Sequence, residues 1–413
     1  MMSAGRPVRK KRPRFSVVTI VRNEADRLPR LLASLTDFRA RGGEVVVLDT
    51  GSEDGTPDVA AAAGCLVVVE PRRFNRHLTE AQARRINQTF SRGGEGPLVA
   101  PKDRLFDFNR ARAHAASLAR HDFQLAVDGG DVVEAMDIDF IDATARAHHP
   151  PILEFETRML SGAGWLIEVR GYLYDRGLSE WKGRSHNYLV PRSAGSSPQS
   201  MRLKRDQLLV SHHSDLHKSR AHQLAGTALE ALAEPDSPRW RYFLGRSLAA
   251  RGCHRSALDL LIGLDRPDVP GPVRSAALWL GSMSVAATGG SPDEIEGILF
   301  KAARRDTLRR DPLLQLAKRR LSEGDMQGAA SFAAGALVIP PLIAMSELEE
   351  NHTVGPHAIL YWALLWMGRL EEGRRHLGIC RRLDPQNPLY EAHAGLFDRA
   401  SRGDPPGGGA RIG

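Results

Sequence analysis

Two short acidic motifs carry residue types at spacings that could do chemistry. The first is Asp49-Thr-Gly-Ser-Glu-Asp-Gly-Thr56, directly after the apolar run 45–48. A carboxylate just past a buried strand can accept hydrogen bonds from a nucleobase N–H or from ribose hydroxyls, and glycines let a ligand approach the backbone. The same residues also suit an ordinary strand-to-helix turn in which Asp, Ser and Thr only cap. The second motif is Asp128-Gly-Gly-Asp131, after the apolar run 123–127. Carboxylates on a glycine turn suit a divalent cation that also holds a diphosphate, and equally a plain Asp-Gly turn.

Histidines form a third group. His212 and His213 follow the strand-like Leu208-Leu-Val210, with His217 and His222 close by. Imidazoles there can complete a metal shell or meet an anion, or serve structure alone. The stretch 151–188 adds Glu154, Glu156, Glu168 and Asp175 as candidate general bases. It also adds Trp165, Tyr172, Tyr174 and Trp181, which suit sugar platforms or core packing.

These groups need elements to position them. Residues 15–21, 44–49 and 64–69 read as buried strands. Residues 23–35 read as a helix capped within Asn23-Glu-Ala-Asp26, with Leu28, Leu31, Leu32 and Leu35 on one face, and 57–63 as a second, short helix. This alternation predicts a parallel sheet with right-handed crossovers, whose ligands bind beyond the carboxyl ends of the strands. A helix over 107–120, a fourth strand over 123–127, and strands within 152–158, 165–173 and 208–210 follow. Residues 71–103, polar and rich in Arg and Gly, predict a long excursion or mobile flap.

After about Lys218 the text turns helical and rich in Ala, Leu and Arg. Small and turn residues recur at tetratricopeptide spacing: Gly245, Gly252 and Ala257; then Ala317, Gly324, Ala329, Ala336 and Pro341; then Gly368, Leu377 and Pro385. An imperfect pair is expected over 272–305. The expected organisation is a disordered basic arm at 1–13, an α/β domain at 14–218, helical repeats at 219–400 and a disordered tail at 401–413.

Composition narrows the classes. The 413 residues are 42% hydrophobic, enough for two or three cores. Of the formal charge of +8, six charges lie in residues 1–14, which contain no acid. The remainder is too nearly neutral for a chain that grips a duplex along a whole face. Three cysteines without a CxxC pair exclude a disulfide framework or zinc ribbon and suit a reducing cytosol. Without a long apolar run or a signal-like start, a cytoplasmic location is expected.

Taken in order, Ser16-Val-Val-Thr-Ile-Val-Arg-Asn-Glu24, Val46-Val-Leu-Asp-Thr-Gly-Ser-Glu-Asp-Gly-Thr56, Asp107-Phe-Asn-Arg-Ala-Arg112 and Val127-Asp-Gly-Gly-Asp131 resemble the family 2 glycosyltransferases of GT-A fold. The subgroup with C-terminal tetratricopeptide repeats is the nearest likeness, over about 14–213 for the catalytic part and 219–400 for the repeats. The resemblance implies a Rossmann-like, mostly parallel α/β domain followed by an all-α repeat domain. It also implies a nucleotide-diphosphate sugar donor, UDP-linked, and a divalent ion, Mn²⁺ or Mg²⁺. Residue by residue, it implies that Thr19, Val21 and Glu24 line the nucleotide pocket and that Asp49 holds the base or ribose. Arg112 would approach the diphosphate, Asp128 would be the first carboxylate of the family's Asp-x-Asp, and His212 would reach the metal. Trp181-Lys-Gly-Arg-Ser-His186 resembles the segment near the acceptor.

Two departures stand out. The second carboxylate of Asp-x-Asp falls on Gly130, leaving Asp131 one residue later as the replacement ligand. The His-Glu common near the acceptor reads His186-Asn187. Glu154, Glu156, Asp175 and His186 are then the catalytic candidates. If the shifted carboxylate fails, Arg72, Arg73, Arg110 or Arg112 must neutralise the diphosphate. The expected reaction is displacement at the anomeric carbon by a hydroxyl or other nucleophile of a macromolecule. The repeats favour a peptide or protein acceptor, and the basic arm keeps a modified DNA base as a second reading. The rival from another class is a catalytically degenerate scaffold that works through its repeats.

Overall fold

In the computed structural model, which describes residues 11–162, 164–193, 201–213 and 221–403, the opening strands and helices alternate as their periodicity dictates. β1 (Ser16–Val21), β2 (Glu44–Asp49) and β3 (Leu66–Val69) are connected through α1 (Leu28–Ser34), α2 (Thr36–Ala40) and α3 (Thr56–Ala62). Every residue of β1 is buried, as expected of a strand covered on both faces. The three strands run parallel, with Val21 opposite Asp49 and Asp49 opposite Val69. Leu28, Leu31 and Leu32 of α1 are buried against Val17, Val45, Val47 and Leu125, each contributing about 1.5–3 kcal/mol by leaving water.

The excursion at 71–103 is folded. β4 (Asn75–His77) pairs with β5 (Arg104–Phe106), and α4 (Glu80–Phe90) lies between them in sequence. Thr79 and Gln82 close a capping box at its start, and Ala83, Ile86 and Phe90 are buried. The polar composition hid an amphipathic helix whose apolar positions are diluted by Arg84, Arg85 and Gln88.

α5 (Phe108–Leu118) leads into β6 (Phe123–Asp128), and β7 (Asp131–Met136) and α6 (Ile138–His148) follow. Then come β8 (Ile152–Ser161), β9 (Gly164–Asp175), β10 (Ser179–Lys182), β11 (Tyr188–Pro191), β12 (Met201–Arg202), β13 (Leu208–His212) and α7 (Ala221–Ala233). The main sheet has the order β3-β2-β1-β6-β9-β8-β13-β7. Its first four strands are mutually parallel, β9 is antiparallel to β6, and β13 is parallel to β8 and antiparallel to β7.

Among the described residues, those within Met1–Ser91, Pro97–Gly162 and Glu168–Pro235 form one compact unit. Those within Arg92–Gly96, Ala163–Ile167 and Asp236–Gly413 form a second. Of the disorder expected at 1–13 and 401–413, residues 1–10 and 404–413 lie outside the described residues, as do position 218 and His217. Ser401 ends the last helix, and α7, expected with the repeats, groups instead with the first unit, which runs to Pro235.

The second unit is helical. α8 (Pro238–Ala249) packs with α9 (His254–Ile262), α10 (Gly271–Ala287) with α11 (Pro292–Arg305), α12 (Asp311–Ser322) with α13 (Met326–Leu337), and α14 (Val354–Trp366) with α15 (Leu370–Leu383). α16 (Pro388–Ser401) packs on α15. The turns inside the four pairs hold Gly252, Gly289, Gly324 and Gly368 at φ of 78°, 84°, 80° and 73°. That left-handed conformation penalises a Cβ, so each repeat reuses glycine to end its first helix. The pair expected over 272–305 is present as α10 and α11.

Candidate active site

The carboxyl edge of the parallel strands is where the two acidic motifs meet. Val21 of β1 is opposite Asp49 of β2, and Ile20 is opposite Asp128 of β6, so both carboxylates leave the sheet on either side of β1. Most polar side chains of the first motif are spent on fastening two loops together. Asn23 N–H donates to Ser52 Oγ at 2.8 Å, and Glu53 N–H donates to Asn23 Oδ1 at 2.9 Å. Glu24 N–H donates to Thr56 Oγ1 at 2.9 Å, and Ala25 N–H to Asp54 Oδ2 at 3.0 Å. Asn23 adopts φ 52° to do this. It is therefore a left-handed bridge between loops and not the helix cap its sequence position suggests, α1 having no side-chain cap.

Asp49 is fully buried. Its Oδ1 accepts Gly51 N–H at 2.8 Å and Ser52 N–H at 2.9 Å, and Ser52 Oγ donates to Oδ2. The carboxylate therefore braces its own turn. Thr19 is 1% exposed, and its hydroxyl has no hydrogen-bond partner among the described residues. It is buried beneath the edge. Val21 is buried too. Val21 and Glu24 nevertheless abut the second motif: a Cβ on Gly129 would lie 3.1 Å from Val21 Cγ1 and 2.9 Å from Glu24 Cγ. Glu24 itself pairs with Arg27 at 2.7 Å.

The second motif gathers a charged cluster. Arg112 of α5 donates through Nη2 to Asp128 Oδ1 at 2.6 Å, and Arg170 of β9 lies 3.8 Å from Asp128 Oδ2. The Tyr172 ring is close to both guanidiniums, 5.0 Å from that of Arg112 and 5.5 Å from that of Arg170. Trp181 is 5.1 Å from Arg112. Arg170 Nε donates to Glu168 at 2.6 Å. Arg112 Nε is buried and donates to nothing among the described residues. Asp131 turns back so that Oδ2 accepts Asp128 N–H at 2.7 Å, while Oδ1 lies 2.7 Å from His212 Nδ1 on β13.

Electrostatics follow from these contacts. Burial works against the charged form of Asp128, but Arg112, His212 and Arg170 outweigh it and hold the carboxyl well below the usual range. Burial likewise opposes charge on His212, and the hydrogen bond and charge of Asp131, helped by Asp128, raise it above an ordinary imidazole. Arg170 is buried yet pushed up by Glu168 and Asp131. A carboxylate–carboxylate–imidazole set whose ligand atoms all lie within 4.8 Å of one another, with oxygen donors prominent, fits Mn²⁺ or Mg²⁺. Two guanidiniums with spare N–H groups beside it fit a diphosphate.

The structure thus brings Asp128, Asp131, His212 and Arg112 together, with Glu24 and Val21 alongside. It does not bring in three catalytic candidates. Asp175 ends β9 opposite Phe123, at the far end of β6 from Asp128, and its carboxylate caps a turn through Gly177 N–H at 2.7 Å. Glu154 pairs with Arg202 at 3.8 Å, and Glu156 pairs with Arg205. Parallel pairing sets Met159 of β8 level with His212, so Glu156 and Glu154 lie three and five residues behind, about 10 and 17 Å at strand rise. His186 is half-buried and precedes Asn187, whose carbonyl accepts the Tyr172 hydroxyl at 3.2 Å, so its segment borders the arginine cluster. His213 lies 3.4 Å from Arg30, and His222 stacks on Phe108. Among the fallback arginines, Arg73 pairs with Glu70 at 3.0 Å, and only Arg112 reaches Asp128. Arg170 was not anticipated. It is aligned by the antiparallel pairing of Leu125 with Leu173, a long-range register with no local signature.

Residues 16–83 match the family model Glycosyl transferase family 2. A TPR repeat-containing protein of Synechococcus elongatus is 53% identical over 49 residues, 12% of this chain and 11% of that protein. The chain thus spans about a tenth of the length of that curated relative. Three solved structures are similar at low identity. S. aureus TarS 1–349 in complex with UDP-GlcNAc shares 15% identity, covering 78% of this chain and 92% of that one, with a TM-score of 0.35. The mannosyltransferase PcManGT from Pyrobaculum calidifontis, in complex with GDP-Man and Mn²⁺, shares 16% over 80% and 88%, with a TM-score of 0.32. A thermophilic TPR protein of Thermus thermophilus shares 17% over 43% and 89%, with a TM-score of 0.32. Among the described residues no helix is long and apolar enough to cross a membrane.

Proposed function

We propose that the protein, whose residues 16–83 match the model of glycosyl transferase family 2, moves a sugar from a nucleotide-diphosphate donor, UDP-linked, to a nucleophile on a macromolecular acceptor. The observation that carries this reading is the Arg112–Asp128–Arg170 cluster at the carboxyl edge of the sheet. It offers a diphosphate two buried guanidiniums with an orphaned N–H. In the transfer, an acceptor oxygen forms a bond to the anomeric carbon while the bond from that carbon to the β-phosphate oxygen breaks. The acceptor proton passes to a base, and Arg112 and Arg170 take up the negative charge of the departing nucleoside diphosphate. Asp128 and His212 would hold Mn²⁺ or Mg²⁺, which adds charge neutralisation on the same leaving group. The segment around His186, next to Tyr172, is the acceptor side, and the helical repeats offer an extended surface for a peptide or protein.

A panel of UDP- and GDP-sugars with and without Mn²⁺, read by thermal shift and calorimetry, tests this. A ligand at 100 times its Kd stabilises the folded form by about 2.7 kcal/mol. Donor hydrolysis that disappears in Asp128→Asn supports the reading. Absence of binding by every nucleotide sugar refutes it and favours the degenerate scaffold.

A further inference from the structure

The two carboxylates of the Asp128-Gly-Gly-Asp131 turn are not equivalent. The side chains of Asp128 and His212 are 30% and 22% exposed, whereas that of Asp131 is 2% exposed. Both oxygens of Asp131 already have partners, one at His212 Nδ1 and the other at the Asp128 N–H. The backbone fixes this arrangement. His213 N–H donates to Gly130 O at 3.0 Å, tying the end of β13 to the turn. A Cβ on Gly130 would lie 3.0 Å from His213 O, so glycine lets the two approach. An imidazole whose Nδ1–H donates to a carboxylate directs its lone pair outward at Nε2.

We propose that Asp131 is a positioning residue and not a metal ligand: it holds His212 in the Nδ1–H form, so that His212 Nε2 and the Asp128 carboxylate are the two protein donors presented to a divalent cation. This rests on the donor-and-cation reading above and explains how the chain works without the second carboxylate of Asp-x-Asp. The residue displaced by one position has changed jobs. With two protein donors, the cation is held mainly by the diphosphate it accompanies.

The test is NMR of the full chain labelled with ¹⁵N-histidine and loaded with ¹¹³Cd²⁺, alone and with UDP, the His212 signals being assigned by His212→Gln. Coupling of cadmium to Nε2, with the Nδ1 proton still present and hydrogen-bonded, is the expected result. Coupling to Nδ1, loss of that proton on loading, or no coupling to His212 under either condition overturns the proposal. In Asp131→Asn, Mn²⁺ affinity measured by electron paramagnetic resonance should fall about 10–100-fold, with cadmium still on Nε2. Unchanged affinity in a folded variant also overturns it. A protein that binds nucleotide sugars without cadmium at His212 defeats this inference alone. One that couples cadmium at Nε2 but binds no nucleotide sugar defeats the functional reading alone.

Discussion

Replacing Arg112 with methionine probes the pairing on which the site depends. The arginine side chain is 5% exposed and its guanidinium is 2.6 Å from Asp128. Methionine keeps most of the apolar bulk against Tyr172 and Trp181, so the loss is chiefly electrostatic. Stranding one partner of a buried pair costs about 3–5 kcal/mol. Asp128 is 30% exposed, and Arg170 remains 3.8 Å from its other oxygen, so water and the second guanidinium recover part of this. The expected loss is about 2 kcal/mol at pH 7.

Hydrogen exchange of peptides from β1 and β6 isolates the stability of the first unit from that of the repeats. A cycle with Asp128→Asn should return a coupling of about 2 kcal/mol. The pH sign is fixed by the direction of the Asp128 shift. Its folded pKa lies below the unfolded value of about 3.9, so the stabilisation is present above that pH and fades below it. The unfolded chain titrates alike in wild type and variant. The gap between them therefore narrows only at a pH low enough to protonate Asp128 in the folded variant but not in the folded wild type, and it never widens on acidification. A coupling below about 0.5 kcal/mol, or a gap that widens with acid, refutes the pairing argument.

Gly130→Ala forces a Cβ to 3.0 Å from a carbonyl oxygen and should cost about 1–3 kcal/mol. Gly297→Ala on α11, with open space around it, should be neutral or stabilising by up to about 1 kcal/mol, both variants being compared with wild type by urea denaturation. In the repeat unit, Asp311 and Arg309 are buried as a pair, with Asn351 also donating to Asp311. Asp311→Ala leaves a buried guanidinium without that partner and should lower the unit's stability by about 3–5 kcal/mol, seen as an earlier thermal transition. Asp175→Asn, Glu154→Gln and Glu156→Gln should leave donor hydrolysis within about twofold of wild type, since none touches the cluster; a hundredfold loss in any of them would restore it as a catalytic candidate.

The strands, crossover helices and helical repeats were legible because their signals are local: β-branched runs, leucines at helical spacing, and glycines closing each repeat turn. The gathering of Asp128, Asp131 and His212 was legible in outline because each follows a recognisable strand. Other parts depended on tertiary pairing. Arg170 reaches Asp128 only through the antiparallel register of β9 on β6. Asp175, a plausible acid by sequence, was carried to the opposite end by that same register. Thr19, a pocket residue by resemblance, is buried because β1 is covered on both faces. The helix in 71–103 was masked because its buried face is narrow and its exposed positions are basic.

The cross-braced loops around Asn23 and Ser52 bear on how such chains are recognised. The Asp49–Thr56 motif also knits two neighbouring turns together through Asn23, Ser52, Asp54 and Thr56. Side chains spent on that knitting serve the fold whether or not the site turns over a substrate. The signature therefore certifies architecture, and working chemistry has to be judged at Arg112, Asp128, Arg170 and His212.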